Sequence, residues 1–476
     1  MAEPDVLDLL DIHSDWVALE DAGRTLTYAE LGPSVRAVAA MLQRRGVSPG
    51  DRVASVLPNS VAAVELYLAS AYVGAIWVGV NPAAPEAERA RQLNLVTPAV
   101  VVTTDDMASI PAETIDVARC QLSTPSAIGF SSGTTGTPKA LVHNRAGVSL
   151  AAAALSAAQL RSDDRVGIIL PMSIHNLMVV GAMATLFAGA TCVITDRFNA
   201  IGVAESCRDL RFTRVNALVP ATIYDLVHDD AIVTADLASL RQAGTGAAGL
   251  SEDLRVAFEA KFGKRLAGSY GMTEAPGVVA LEDGAAPRRH GSSGTPLPHL
   301  AVTVRDEHDN PLPVGQEGEL VVGPAPDSSY RPALGVWTEH GLVRRGEFES
   351  AFTTGDYGWI DHDGTIHVSG RKADVIVRGG VNVNAAELEN VLGQYDGVRG
   401  IAVIGVPDER LGQRIVAYTE PDGGVLLDAG ELREYARGVL AHGKVPDEFV
   451  ISVLPRNAMG KVARGELTAP VRPSLR

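Results

Sequence analysis

After Thr27-Tyr28-Ala29-Glu30, apolar residues return every three or four positions, so that Leu31, Val35, Val38 and Leu42 share one face. That spacing predicts a helix. Thr27 and Glu30 stand as in a capping box, and Gly46 marks the helix end. Over the next two hundred residues, short apolar runs at 52–57, 76–80, 99–104, 166–170 and 215–219 alternate with helix-length segments. Rich in valine and isoleucine, they predict parallel sheets covered by helices. From Thr295 to about Gly370 the texture changes to short strands broken by Gly, Pro and Asp turns, which predicts a β-rich subdomain.

A new unit begins after Gly370-Arg371. Residues 374–378 read as a strand and Gly379-Gly380 as a turn. Asn384 then caps a helix with Ala385, Leu388, Val391 and Tyr395 on one face. Strands at 401–406, 415–418 and 449–454 and a helix at 429–440 complete a compact α/β module.

The stretch 176–195 carries no charge and has the length of a membrane span of about 20 residues. Gly189 divides it, Asn176 is polar, and no basic cluster flanks it. A buried helix at 177–187 and a buried strand at 190–194 are the expectation, with no membrane segment. Hydrophobic residues make up 46% and charged ones 21%, an ordinary globular balance. Against 57 acidic side chains stand 41 basic ones, a net charge of −16. Such a balance argues against nucleic acid or an anionic membrane as the main partner. Cys120, Cys192 and Cys207 form no C-x-x-C pair, which fits a reducing cytoplasm and neither a disulfide framework nor a zinc site. Cys192 reads as a buried structural thiol. The N-terminus lacks the basic and apolar regions of a signal peptide, so a cytoplasmic protein is expected.

The densest chemistry lies in Ser131-Ser132-Gly133-Thr134-Thr135-Gly136-Thr137-Pro138-Lys139. Glycines let backbone N–H groups approach a phosphate, hydroxyls add donors, and lysine supplies charge. It is not a Walker loop, because Thr137-Pro138 stands where that loop needs glycine before lysine.

This loop resembles that of the adenylate-forming superfamily: acyl-CoA synthetases, carrier-loading adenylation domains and beetle luciferases. Further motifs of that family follow in order: Gly246-Ala247-Ala248, Tyr270-Gly271-Met272-Thr273-Glu274, Thr354-Gly355-Asp356, Gly370-Arg371 and Pro455-Arg456-Asn457-Ala458-Met459-Gly460-Lys461. The likeness runs from about Leu26 to the C-terminus. It implies an α/β fold with a large N-terminal domain, residues 1–371, of stacked α/β sheets plus a β subdomain. A small mobile α+β C-terminal domain, residues 372–476, would follow.

The resemblance also implies ATP, Mg²⁺ and coenzyme A as cofactors, and a small carboxylic acid as substrate. The acid would become an acyl-adenylate and then pass to a thiol. Tyr270 would offer its π-face to adenine, with Gly246, Ala247 and Ala248 against the purine edge. Gly271 and Met272 continue that motif, Thr273 would donate to the α-phosphate, and Glu274 would ligate Mg²⁺. Asp356 would accept both ribose hydroxyls, and Arg371 would contact the nucleotide where the large domain ends. Lys461 would stabilise charge where the carboxylate meets the α-phosphate.

His175 matches the family position that gates the acid pocket. Segments 175–183, 246–248 and 272–277 would line that pocket with Leu177, Met178, Val179, Val180, Met272 and Ala275. Besides Glu274 they bring no carboxylate, so a buried α-ammonium would go unpaired. An aryl or medium-sized acid is expected, with Asn176 available to a ring hydroxyl. Two residues past Arg371, where the family carries an acidic residue or lysine as the pivot between domain orientations, this chain has Ala373. Coenzyme A is the first acceptor considered, and a carrier-protein phosphopantetheine thiol the second. A non-catalytic nucleotide binder is the third reading, and intact Thr273-Glu274 and Lys461 argue against it.

Overall fold

Thr27 caps the helix Tyr28–Arg44 reciprocally: its Oγ1 accepts from Glu30 N at 3.3 Å, while Glu30 Oε2 accepts from Thr27 N at 2.9 Å. Leu31, Val35, Val38 and Leu42 are buried, and Gly46 follows with φ +84°. The structure, a computed structural model, describes residues 3–467 apart from 111–114, 132–138, 247–249, 251, 285–288, 290, 345–350, 380, 409 and 457–459.

Among the described residues, the first apolar runs pair as parallel strands. Ile76–Gly79 lies between Arg52–Ser55 and Pro125–Ser131, and Val100–Val102 flanks Arg52–Ser55. Lys139–Asn144, Gly335–Thr338 and Gly341–Arg344 extend this sheet antiparallel to seven strands. A nine-stranded sheet holds Thr191–Ile194, Arg165–Ile168, Arg214–Leu218, Gln242–Thr245 and Arg265–Met272 in parallel. One apolar core joins the two sheets. It contains Val53 and Trp77 from the first, Val166 and Cys192 from the second, and Val148, Ala151, Met178 and Val179 from helices between them. Cys192 is indeed fully buried.

The expected helix at 177–187 starts earlier, at His175, and widens to π geometry over Met178–Met183 before Ala184–Phe187 closes it. Two side chains claim carbonyls there: Asn216 Nδ2 donates to Val180 O at 2.9 Å, and Thr185 Oγ1 donates to Gly181 O at 2.6 Å. Such wide turns recur at functional sites. The strand that follows, Thr191–Ile194, is buried, and no described helix is long and apolar enough to cross a membrane.

Leu300–Arg305, Gly318–Pro324, Phe352–Ile360 and Ile366–Arg371 form an antiparallel four-stranded sheet. After Arg371 a single 3-10 turn, Lys372–Asp374, leads into a five-stranded sheet built only from later residues. Asn384 Oδ1 accepts from Ala386 N at 3.0 Å and caps Ala385–Leu392. Leu392, not Val391, completes its buried face, because the helix stops there and Tyr395 packs beyond it, edge-on to Tyr435.

The core between the sheets holds two histidines. His143 and His175 are each 1% exposed, with rings stacked at 4.7 Å and 13°. Tyr67 Oη lies 3.4 Å from His175 Nε2. Burial pushes the His175 imidazole down to about 3, and burial together with His175 holds His143 well below its usual range. Burial pushes His299 down in the same direction, to about 4. Unfolded histidines take up protons below about pH 6.5. The folded chain refuses them, so the contribution of these histidines to stability is fully present above that pH and falls as pH drops toward 3. Urea midpoints measured from pH 7 to pH 4 should fall steadily in the native chain and less steeply in His143→Phe. Equal slopes would show that the stacked pair carries no such penalty.

Candidate active site

Ser131 and Lys139 face each other in register across antiparallel strands, which brings the two ends of the glycine- and hydroxyl-rich loop together. Ser132, Gly133, Thr134, Thr135, Gly136 and Thr137 lie outside the described residues, as do Ala247 and Ala248. Gly246 follows Gln242–Thr245, where a Cβ would stand 2.6 Å from Ser269 Oγ. Ser269 O would stand 3.2 Å away, so the missing side chain lets this backbone lie close to the strand carrying Tyr270.

Tyr270, Gly271 and Met272 end the strand Arg265–Met272, and Thr273-Glu274 turns the chain into Ala275–Leu281 with Met272 opposite Ala275. A Cβ on Gly271 would stand 2.9 Å from Gly277 O, so the hairpin closes tightly. Ala333 N donates to Glu274 O at 2.8 Å and fixes the turn. No described group of three or more His, Cys, Asp or Glu side chains could hold a metal by itself. An ion at half-buried Glu274 would therefore draw its other ligands from phosphate and water, the habit of Mg²⁺.

Asp356 is 5% exposed and opposes Arg371 in register. Its carboxylate accepts from Tyr270 Oη at 2.7 Å and from Arg371 Nε at 3.1 Å. Thr354 Oγ1 steadies it by accepting from Asp356 N at 3.0 Å, and Gly355 supplies the left-handed turn with φ +74°. Burial and the Asp356 charge push the Tyr270 phenol well up. Lys461 reaches this group from the small unit. Burial lowers its pKa first, the Arg371 charge adds to that, and Asp356 opposes both.

On the other side of the hairpin, Gly129 separates His175 from Thr273. A Cβ there would stand 3.0 Å from His175 Cβ and 3.2 Å from Thr273 Cγ2. His175, expected at a pocket gate, is fully enclosed, and its Nδ1 has no partner among the described residues. Asn176 departs from its expected role. Its Nδ2 donates to Met272 O at 2.9 Å and its Oδ1 accepts from Gly277 N at 3.4 Å, so the amide braces the hairpin instead of awaiting a ring hydroxyl.

Further contacts hold the small unit and its connecting turn. Arg399 pairs with Asp225 at 2.9 Å beside the Tyr224 ring, and Tyr224 Oη pairs with Asp422. Gly460, with φ +70°, lies against Val219. Lys372 pairs with Glu319 at 3.1 Å on one side of the 3-10 turn, and Asp374 with Arg464 at 3.5 Å on the other.

Residues 10–325 match the AMP-binding enzyme family, and residues 387–461 match the AMP-binding enzyme C-terminal domain. Feruloyl-CoA synthase of Amycolatopsis sp is 32% identical, over 94% of this chain and 95% of that protein. Indoleacetate–CoA ligase of Aromatoleum aromaticum is 30% identical, over 93% of each. ATP-bound MatB from Rhodopseudomonas palustris superposes with a TM-score of 0.86 at 27% identity over 98% of both chains. The apo form of the same protein scores 0.74, over 97% of both, so this chain follows the ATP-bound arrangement more closely. The matched domains, the ordered motifs and the site they build make this chain a member of the AMP-binding enzyme family, the adenylate-forming ligases.

Proposed function

We propose that the chain activates an aryl or medium-sized carboxylic acid as its adenylate and passes the acyl group to coenzyme A. The observation that carries this reading is Asp356 shared by Tyr270 and Arg371, with the Lys461 ammonium within reach of both charges. A nucleotide would lay its base on Tyr270 and its ribose hydroxyls on Asp356. The acid carboxylate would attack the α-phosphorus, pyrophosphate would leave, and Lys461 would balance charge on the two anions as they meet. Thr273 would donate to the α-phosphate. Glu274 would hold Mg²⁺, which when bound neutralises phosphate charge.

Thiol attack on the acyl carbonyl would then release AMP. Coenzyme A is favoured over a carrier-protein thiol because both relatives above are named for coenzyme A thioesters. Their names also carry aryl acids, in keeping with the apolar residues Leu177, Met178, Val179, Met272 and Ala275 expected along the acid pocket. The chain would divide at Arg371 into residues 1–371 and 372–476, rotating about Lys372–Asp374 between half-reactions.

Pyrophosphate exchange across benzoate-type, fatty and α-amino acids should show a clear preference for the first class. Lys461→Ala should lower that exchange at least ~10²-fold and slow transfer from pre-formed acyl-AMP far less. Preference for an α-amino acid would overturn the pocket reading, and normal exchange in the variant would remove Lys461 from catalysis.

Ala373→Pro tests the pivot, since proline fixes φ and removes an N–H. One half-reaction should persist while the other falls at least about tenfold. Equal retention of both would place the pivot elsewhere.

A further inference from the structure

We propose that a buried ion pair, Arg255–Glu282, reads the polar edge of the nucleotide base, with Glu282 accepting a hydrogen bond from the exocyclic amine of adenine. The inference deepens the ligase reading above and rests on its placement of the base against Tyr270.

A cavity of about 260 Å³ opens beside Gly246 and Ser269, with Gly268, Arg255 and Glu282 in its walls and Asn390 of the small unit at its rim. Arg255 is 9% exposed and Glu282 is 7% exposed. Glu282 Oε2 accepts from Arg255 Nη1 at 2.6 Å and from the backbone N–H of Gly268. Arg255 Nε is buried with no hydrogen-bond partner among the described residues. A buried carboxylate is tolerable only when paired in this way.

The position of Glu282 follows from one missing side chain. Gly268 and Tyr270 are two residues apart on Arg265–Met272, and side chains two apart in a strand share a face. A Cβ on Gly268 would stand 2.9 Å from Glu282 Oε2 and 3.3 Å from Arg255 Nη2, so the ion pair occupies the space that a side chain would fill. Glu282 thus lies on the same face as the Tyr270 ring, about 7 Å along the strand. At the other end of that ring, Tyr270 Oη holds Asp356. A base stacked on Tyr270 with its sugar at Asp356 turns its far edge toward Gly268 and the carboxylate.

The chemistry then selects the base. An ionised carboxylate only accepts hydrogen bonds, so the 6-amino group of adenine suits it. The 6-oxo group of hypoxanthine or guanine would set acceptor against acceptor. Hydrogen bonds to a charged group discriminate by about 10- to 100-fold.

The test is calorimetric binding of ATP, ITP and purine riboside triphosphate to the full chain, with no acid present. ATP should bind at least about tenfold more tightly than either analogue. In Glu282→Gln, whose amide can also donate, the preference for ATP over ITP should shrink to within about threefold. Should that variant fail to fold, purine riboside triphosphate on the native chain decides alone, because it lacks only the amine. Equal binding of ATP and the analogues by the native chain, or an unchanged ATP-to-ITP ratio in Glu282→Gln, would overturn the assignment. Failure of the ligase reading would appear separately, as absent pyrophosphate exchange with the base selectivity intact.

Discussion

The carboxylate of Asp356 is the charge around which the two parts of the chain are arranged. It is buried in the four-stranded sheet and accepts from Tyr270 on the nine-stranded sheet and Arg371 at the last strand before the 3-10 turn. A carboxylate this enclosed requires such donors, since burial without them is costly. Meeting that requirement locks the orientation of the Tyr270 ring, the end of the large sheet assembly and the starting point of the small unit. Lys461 then enters a field already set by one anion and one guanidinium.

Glycines fix the distances around this centre. Gly246, Gly268 and Gly271 each sit where a Cβ would meet a neighbouring atom at 2.9 Å or less, so the backbone after Thr245, the ion pair and the hairpin pack against one strand. Gly129 does the same for His175 and Thr273. Asn176 and Asn216, both half-buried, brace the hairpin and the π turn.

Much of the fold is legible in the sequence. Thr27 and Glu30 announced a helix start because a capping box is local chemistry, and the valine-rich runs announced parallel strands because burial on both faces leaves no alternation. Motif residues such as Tyr270, Asp356 and Lys461 were legible through ordered resemblance, although nothing local to them tells which touch one another. What stayed hidden depends on tertiary placement. The π turn at Met178–Met183 includes a carbonyl claimed by Asn216, 36 positions away in the chain. The Arg255–Glu282 pair and the Arg399–Asp225 contact carry no motif, since surface and buried charges look alike in a sequence. A polar residue such as Asn176 suits a ligand and the backbone behind it equally, and only the fold shows its amide against Met272 O and Gly277 N.

If the Asp356 charge organises the proposed nucleotide site, removing that charge should weaken nucleotide binding. The most direct measurement is the dissociation constant for ATP in Asp356→Asn, which keeps the shape and removes the charge, with urea unfolding followed in parallel. Affinity should weaken at least about tenfold while the chain still unfolds cooperatively. Unchanged affinity in a folded Asp356→Asn protein would contradict it.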